Sequence, residues 1–383
     1  MLALHVAEGL AGGLVVVATW WSVLITVVVP RGRTSWITAR IYSGLRLPFR
    51  MLARPGGPYG KIDAVLAAQA PVWLLGLLLG WLLLFLIGYS LLFAGFGADV
   101  DEAVREAGSS LFTLGFANPA GPVVIVYAAA ASGLTVVALQ IGYLPALYSA
   151  YNRRETLVTL LAGRAGVPSW GPEVLVRHQL VGITDSLDAL FAQWESFAAD
   201  VAESHTSYPV LVYFRSPRPL RSWLIGLLAV LDAAALYLAL APRRAPSQAR
   251  LCLRMGYLSL REIATALGVR IDQDPLPDDP LTLTWEEFDD AVGYIRSSGF
   301  TVERDAASAW PHFRGWRVNY ERAALSLADR IEAPPALWSG TRRTGAAPIP
   351  PLRPRDRRPS DREGAPPPLP QAAVSDRGAA PGP

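Results

Sequence analysis

The stretch GSSLFTLGFANP, residues 108–119, separates two long apolar runs at about 71–97 and 121–147. A segment that leaves one membrane span and enters the next so soon is too short to form a domain of its own. Non-helical backbone at membrane depth is tolerated only where protein buries it or where it lines a water-filled path. The position of this stretch therefore predicts a pore loop at residues 113–117, preceded by a short half-helix.

The composition is that of a membrane protein joined to a soluble part. The chain of 383 residues is 51% hydrophobic and 17% charged, whereas soluble domains carry about 25% charged residues. Nearly all the long apolar runs lie before residue 150. A net charge of +3, with no arginine cluster interleaved with stacking aromatics, argues against a nucleic-acid partner. The single cysteine, Cys252, is predicted to be a buried thiol without a disulfide.

Three apolar runs, at residues 9–30, 71–96 and 121–147, predict three membrane spans, because roughly 20 apolar residues cross a bilayer. Basic residues mark the cytoplasmic side of a membrane protein, and here they follow the first and the third run. They are Arg31, Arg33, Arg40, Arg46, Arg50, Arg54 and Lys61, and then Arg153 and Arg154. This pattern predicts that the N-terminus lies outside. The first run lacks a basic start and a cleavage motif, so we do not expect a removed signal peptide.

Residues 156–332 are predicted to form a mostly helical cytoplasmic domain. The fifth of its helices begins with the capping-box spacing of Thr284 and Glu287, and strand-like alternation occurs only at 209–214. The predicted helices lie near 172–181, 184–204, 219–241, 247–267, 284–298 and 316–331. The run 223–241 is long enough for a fourth span, although Asp232 near its middle and arginines on both flanks favour a buried core helix. Both alternatives remain open.

The other segments carry no enzyme or metal motif. Residues 333–383, rich in Pro, Arg and Gly, predict a disordered tail, in which the PPPLP motif at 366–370 could bind a partner that reads a polyproline helix. The acids at 272–279 lack EF-hand spacing, the four histidines lack ligand spacing, and no catalytic triad is legible. We therefore expect no enzyme, cofactor or bound metal. The predicted domains are 1–62, 63–155, 156–332 and 333–383.

The residue types in the loop suit a filter lined by carbonyl oxygens. Backbone carbonyls and a threonine hydroxyl can replace the hydration oxygens of a cation, and glycine permits the backbone angles that aim those carbonyls. Residues 71–155 resemble the pore module of two-transmembrane potassium channels, whose filter reads Thr-Val-Gly-Tyr-Gly-Asp. Thr113 and Gly115 match that motif. Four positions depart from it: Leu114 for Val, Phe116 for Tyr, Ala117 for Gly and Asn118 for Asp.

The departures favour a pore-type architecture more than strict potassium selectivity. Phe116 lacks the hydroxyl that braces the filter from behind in that family, and Ala117 would penalise a left-handed backbone by roughly 1 kcal/mol. The resemblance also places a gating hinge at Gly133 in the inner helix. Close packing of small residues between helices is the alternative explanation for this glycine.

An acidic vestibule is predicted at the outer mouth, where Asp101, Glu102 and Glu106 would concentrate cations. The alternative is that Asp101 and Glu102 only favour the start of a short helix, because acids stabilise a helix N-terminus.

Together these observations predict an all-α membrane protein with three transmembrane helices, a re-entrant pore loop and a mostly helical cytoplasmic domain. We expect a multi-pass protein of the plasma membrane, assembled in the lipid bilayer as a homotetramer, that passes monovalent cations through residues 113–117. Potassium is the first expectation for the transported ion. The alternative is a non-conducting membrane scaffold or signalling protein that retains a pore-module fold.

Overall fold

The computed structural model describes residues 2–29, 35–53, 58–117, 121–341 and 347–352. The regular secondary structure of these residues is helical. Within them no β-strand forms beyond isolated bridges, which confirms the all-α prediction. A π-helical turn, Leu24–Val28, continues the first helix. The α-helices are α1 (Leu2–Val23), α2 (Trp36–Leu52), α3 (Tyr59–Ala67), α4 (Gln69–Gly95), α5 (Val100–Leu111), α6 (Val123–Ala165), α7 (Gly171–Val181), α8 (Leu187–Ser207), α9 (Trp223–Leu240), α10 (Ser247–Ala266), α11 (Trp285–Ser297), α12 (Ala306–Arg317) and α13 (Glu321–Ile331).

These helices divide into two compact units. The first unit comprises residues 1–53 and 68–149, and the second comprises residues 54–67 and 150–383. The helix α6 begins in the first unit and ends in the second. This division differs from the predicted domain boundaries at residues 62 and 155. The helices α1 and α2 belong with α4 and α5 in the first unit, whereas α3 belongs with the second unit.

The helices of the first unit expose apolar side chains over most of their surface. Four helical segments of the described residues are long and apolar enough to cross a membrane: Leu2–Val28, Tyr59–Gly95, Val123–Ala165 and Trp223–Leu240. The first three bury only 22%, 39% and 28% of their most apolar window, whereas the fourth buries 94%. An apolar face of that extent is stable in lipid and not in water. The three exposed helices therefore indicate a membrane protein, and the fourth, α9, is the core helix of the second unit.

Glycines let α1 and α4 pack at close range. A Cβ on Gly12 would lie 2.6 Å from the carbonyl oxygen of Gly88, and a Cβ on Gly95 would lie 2.7 Å from the Cα of Gly9. Small residues at such crossings allow two backbones to approach and gain dispersion contacts where no hydrophobic effect drives association. The indole of Trp81 on α4 adds a polar tie by donating to the Ser22 hydroxyl on α1, 3.0 Å away.

Replacing Gly12 by valine should separate α1 from α4. Overpacked sites typically lose about 1–3 kcal/mol of stability. Gly13 supplies a matched control, because a Cβ there meets nothing within 4 Å and valine carries the same helix-propensity cost. Thermal unfolding of the purified chain in detergent should show a clearly lower Tm for Gly12→Val than for Gly13→Val. Equal Tm values would contradict the crossing.

A buried charge network surrounds α9 in the second unit. Arg317 donates to the carboxylate of Asp232 over 2.7 Å, and the hydroxyl of Tyr320 donates to the same oxygen over 2.7 Å. Arg317 also pairs with Glu321 and donates to the carbonyl oxygen of Trp338 over 2.6 Å. A buried charge is tolerated when it is paired and hydrogen-bonded. The acid in the middle of this apolar run is therefore explained by partners inside the protein core.

The start of the predicted tail belongs to this core, which corrects the boundary placed at residue 333. Ala333, Ala336, Leu337 and Trp338 are buried in the main hydrophobic cluster of the second unit. The composition predicted disorder for this segment. It could not reveal the partners, such as Arg317, because they are distant in sequence. Residues 342–346 and 353–383, including the PPPLP motif, lie outside the described residues.

Two secondary-structure predictions for the second unit were also wrong. The strand-like segment 209–214 contains a 3₁₀ helix, Pro209–Tyr213, whose last carbonyls are held by Arg154 instead of by a neighbouring strand. The single helix predicted at 316–331 is replaced by two helices. The first, α12, has Asp305 as its N-cap and ends at Arg317, and α13 follows it. The capping box of Thr284 and Glu287 at the start of α11 is confirmed.

Two histidines of the second unit are buried in uncharged form. His205 lies against Arg154, with 2.9 Å between the imidazole Nε2 and the guanidinium Nη1. Burial and the positive charge of Arg154 hold the pKa of His205 well below its ordinary value of 6.5. Burial likewise lowers the pKa of His178, whose Nδ1 is 2.7 Å from the Val174 carbonyl oxygen.

These histidines predict a loss of stability at mildly acid pH. Their folded pKa values lie below the 6.5 of a free histidine, so the unfolded chain binds more protons as the pH falls below that value. Each histidine should lower the free energy of unfolding by up to about 1.4 kcal/mol per pH unit. Thermal unfolding between pH 7.5 and 5.5 should show a smaller slope for His205→Gln and for His178→Gln. The exposed His312 is the control, and a slope reduced equally by His312→Gln would refute the assignment.

Candidate functional site

The helix α5 begins where an acidic side chain caps it. The Asp99 carboxylate accepts from the Glu102 amide over 2.8 Å, and Asp101 and Glu102 lie in the first turn. Acids at these positions satisfy free amides and complement the positive end of the helix dipole. The buried face of α5, which includes Ala103 and Ala107, belongs to the same hydrophobic cluster as α4.

The carboxyl end of α5 closes in a Schellman motif. The Leu114 amide donates to the Ser109 carbonyl over 2.8 Å, and the Thr113 amide donates to the Ser110 carbonyl over 3.0 Å. Such a motif requires a left-handed residue, usually glycine, and here Thr113 adopts it with φ 56°. A non-glycine residue in that conformation carries roughly 1–2 kcal/mol of strain. The surrounding contacts must therefore hold Thr113 in place.

The loop after α5 folds back onto the hydroxyl of Ser109. This oxygen accepts from the Phe116 amide over 3.1 Å and from the Ala117 amide over 3.2 Å. Sequence reasoning missed Ser109, although a hydroxyl residue one helical turn before Thr113 was the available signal. The Ser109 hydroxyl thus holds the loop against α5, although residue 116 is a phenylalanine and has no hydroxyl of its own.

The strained left-handed residue of the loop is Thr113 and not Ala117, the residue that the resemblance suggested. Gly115 has φ 70°, which glycine adopts freely. Among the described loop residues the positive φ angles are those of Thr113 and Gly115, so Ala117 does not occupy a left-handed position. Asn118 and Pro119 lie outside the described residues.

The loop exposes apolar side chains, and its carbonyl oxygens lack backbone donors among the described residues. Within the described part of the chain, no backbone amide donates to the carbonyl oxygens of residues 112–117. Leu114 and Phe116 are 61% and 63% exposed. The loop therefore offers a row of acceptor oxygens together with an apolar surface that a single chain leaves uncovered.

The predicted vestibule acids do not share one environment. Asp101 is exposed and pairs with Arg105 over 2.7 Å, and Glu102 is exposed at the helix start. Glu106 is buried, and its Oε2 has no hydrogen-bond partner among the described residues. Asp101 and Glu102 can attract cations from solvent, whereas Glu106 lies in the packing behind the loop.

The inner helix meets the end of α5 at Gly133. A Cβ on this glycine would lie 1.9 Å from the carbonyl oxygen of Leu111, so α6 approaches α5 as closely as a backbone allows. This contact corresponds to the close-packing alternative, and α6 remains helical on both sides of the glycine. The gating hinge at Gly133 stays a prediction.

Hydrogen bonds at the neighbouring Ser132 join three helices of the first unit. The Ser132 hydroxyl lies 2.8 Å from the hydroxyl of Tyr89 on α4, and it accepts from the indole of Trp20 on α1 over 3.1 Å. It also donates to the Ala128 carbonyl of its own helix over 2.7 Å. The part of α6 that contacts the loop-bearing helix is thus fixed to both apolar neighbours.

An apolar stripe on the opposite side of α6 is uncovered. Tyr127, Leu134 and Ile141 recur every seventh residue and are 70%, 68% and 63% exposed. Side chains at this spacing lie along one face of a helix, as in helix–helix packing. The stripe therefore suits contact with lipid or with another copy of the chain.

Comparison of the chain with protein-family models, with curated proteins and with solved structures finds no match. Within the described residues no group of three or more His, Cys, Asp or Glu side chains is arranged to hold a metal ion.

Replacing Gly133 by alanine should displace the end of α5. The added methyl would overlap the Leu111 carbonyl, and relieving such overpacking typically lowers stability by about 1–3 kcal/mol. The matched control is Gly142→Ala on the same helix, because a Cβ there meets nothing within 4 Å and alanine is the better helix former by about 1 kcal/mol. Thermal unfolding in detergent should separate the two variants. A Gly133→Ala variant as stable as Gly142→Ala would contradict the close contact.

Proposed function

We propose that the chain is one subunit of a membrane channel for monovalent cations, and that residues 113–117 line its filter. The observation that carries this proposal is that the loop carbonyl oxygens after α5, between the apolar helices α4 and α6, accept no backbone hydrogen bond from the described residues. Carbonyl oxygens are hard ligands that can replace the hydration shell of potassium or a similar ion. Potassium is our first choice of ion, because Thr113 and Gly115 match the filter that the loop resembles.

The electrostatics of α5 support a cation. The carboxyl end of a helix carries partial negative charge, and the loop begins at that end of α5. The exposed acids at its amino end, Asp101 and Glu102, add negative charge at the start of the same element. Nothing basic lies in the loop from residue 108 to 117.

A homotetramer supplies the walls that one chain lacks. One loop offers carbonyl oxygens from a single side, so a filter requires copies arranged around an axis. Such copies would also cover Leu114, Phe116 and the stripe of α6, which a single chain leaves exposed. Apolar surfaces of this kind mark interaction sites.

The proposed placement follows the distribution of charge. The first unit crosses the membrane with α1, α4 and α6. Basic residues follow α1 and lie in α6 beyond residue 152, and such residues mark the cytoplasmic side. The N-terminus therefore lies outside and the second unit lies in the cytoplasm. The second unit gates or stabilises the assembly through α6, which continues into it. The plasma membrane is the proposed location.

Cation flux from liposomes tests this function. Purified full-length protein, reconstituted in vesicles loaded with potassium chloride and diluted into N-methylglucamine chloride, should release potassium. Gly115→Ala should reduce that flux about tenfold or more, because alanine at φ 70° adds roughly 1 kcal/mol of strain in every subunit. The control is Gly293→Ala in α11, where a Cβ meets nothing within 4 Å.

The oligomeric state completes the test. Native mass spectrometry in detergent should find a tetramer for the wild type and for Gly293→Ala. A monomer without any cation leak would overturn the channel and leave the non-conducting membrane scaffold as the better description.

A further inference from the structure

A small cavity lies in the second unit at the amino end of α9. Its volume is about 20 Å³, close to the roughly 10–15 Å³ that one water molecule requires. The walls come from the chain just before α9 and from the segment after α13. The polar residues that line it are Tyr213, Arg215, Ser216, Arg221, Ser222 and Trp223.

Three hydrogen-bond donors around this cavity have no acceptor. They are the Ser216 hydroxyl, the Nε of Arg221 and the indole Nε1 of Trp223, all buried and without a partner among the described residues. Ser216 is 6% exposed and Trp223 is 2% exposed. Buried polar atoms are nearly always hydrogen-bonded, and leaving one unpaired lowers stability. Three such donors at one cavity indicate that an acceptor binds there.

The start of α9 adds further donors. The first turn of any helix has amides without intrahelical partners, and the N-cap residue Ser222 makes no side-chain bond to them. Because α9 is 18 residues long, its dipole places partial positive charge at this end, where anions bind readily. The donors of the side chains and of the helix end are thus at the same place.

The surrounding charge favours an anion over a neutral ligand. Arg218 and Arg221 flank the cavity in sequence, and Arg154 lies with its guanidinium carbon 5.9 Å from the Trp223 ring centroid. Asp63 nearby pairs with Arg215, and Glu155 pairs with Arg154 through Oε1 while its Oε2 has no partner among the described residues. Neither carboxylate lines the cavity.

We propose that the second unit binds a single small anion of the size of chloride at this cavity, held by Ser216, Arg221, Trp223 and the amino end of α9. The volume admits a monatomic ion and is too small for a phosphate group with its four oxygens. The site is independent of the proposed channel function. It joins the segment before α9 to the start of the helix, so occupancy stabilises the second unit by mass action.

Chloride binding to full-length protein in detergent tests the site. The excess line width in ³⁵Cl nuclear magnetic resonance, at constant ionic strength with gluconate as the replacing anion, should rise with protein added and fall as chloride saturates the site. Chloride should also raise the Tm relative to gluconate, which is too large for the cavity. Ser216→Ala and Arg221→Gln should each weaken binding about tenfold, as expected for the loss of one donor.

Arg218→Gln is the matched control, because Arg218 is exposed and does not line the cavity. It should retain chloride binding within twofold. Ser216→Ala should match the wild-type Tm in gluconate, since its hydroxyl has no protein partner to lose. A wild type without chloride-dependent broadening or Tm change would show that water fills the cavity and overturn the proposal. An equal loss from Arg218→Gln would overturn it as well, because binding would then reflect general surface charge.

Discussion

The contact between Gly133 and the carbonyl oxygen of Leu111 determines where the loop begins. A Cβ at residue 133 would lie 1.9 Å from that oxygen, so only glycine allows α6 to meet the end of α5. Ser132, the next residue, is fixed to α1 and α4 by its hydroxyl. The end of α5 is therefore positioned by three helices, and the strained Thr113 follows directly from it. Without this support the left-handed conformation of a threonine would relax.

The two units handle polar groups differently, and the difference matches their surroundings. In the first unit the hydrogen bonds that join the helices link hydroxyls and indoles, as in Ser22 with Trp81 and Ser132 with Tyr89, and the buried carboxyl of Glu106 is an exception. In the second unit the interior holds paired charges, as in the cluster of Asp232, Arg317 and Glu321. Neutral hydrogen bonds need no counter-charge in a medium of low dielectric constant, whereas buried ion pairs require several partners each. Because the first unit is also the unit with exposed apolar helices, its polar contacts are those that suit a bilayer.

Sequence reasoning succeeded where local chemistry decides the structure. Apolar run lengths located α1, α4 and α6, and the capping box located α11, because each of these signals involves neighbouring residues. The reasoning failed where distant partners decide. Arg154 holds the end of the 3₁₀ helix at 209–213 through the carbonyls of Leu211 and Phe214, and residues 333–338 have partners in α12 and α13. Ser109 was missed for a related reason, since its role depends on a loop folding back across eight residues. Length alone made α9 a possible span, and only its burial in the second unit shows where it belongs.

The proposed channel and the alternative scaffold place different energetic demands on the loop. If the first unit crosses a bilayer, each carbonyl of residues 112–117 without a donor loses several kcal/mol relative to water unless something replaces the solvent. A scaffold needs only a link between α4 and α6, and a hairpin whose carbonyls are paired would serve at lower free energy. The observed loop instead keeps a strained threonine and holds two of its amides on Ser109, while no backbone amide of the described residues donates to its carbonyls. In the channel that we propose, cations on a central axis would exchange hydration oxygens for these carbonyls, whereas in a scaffold water would have to solvate them.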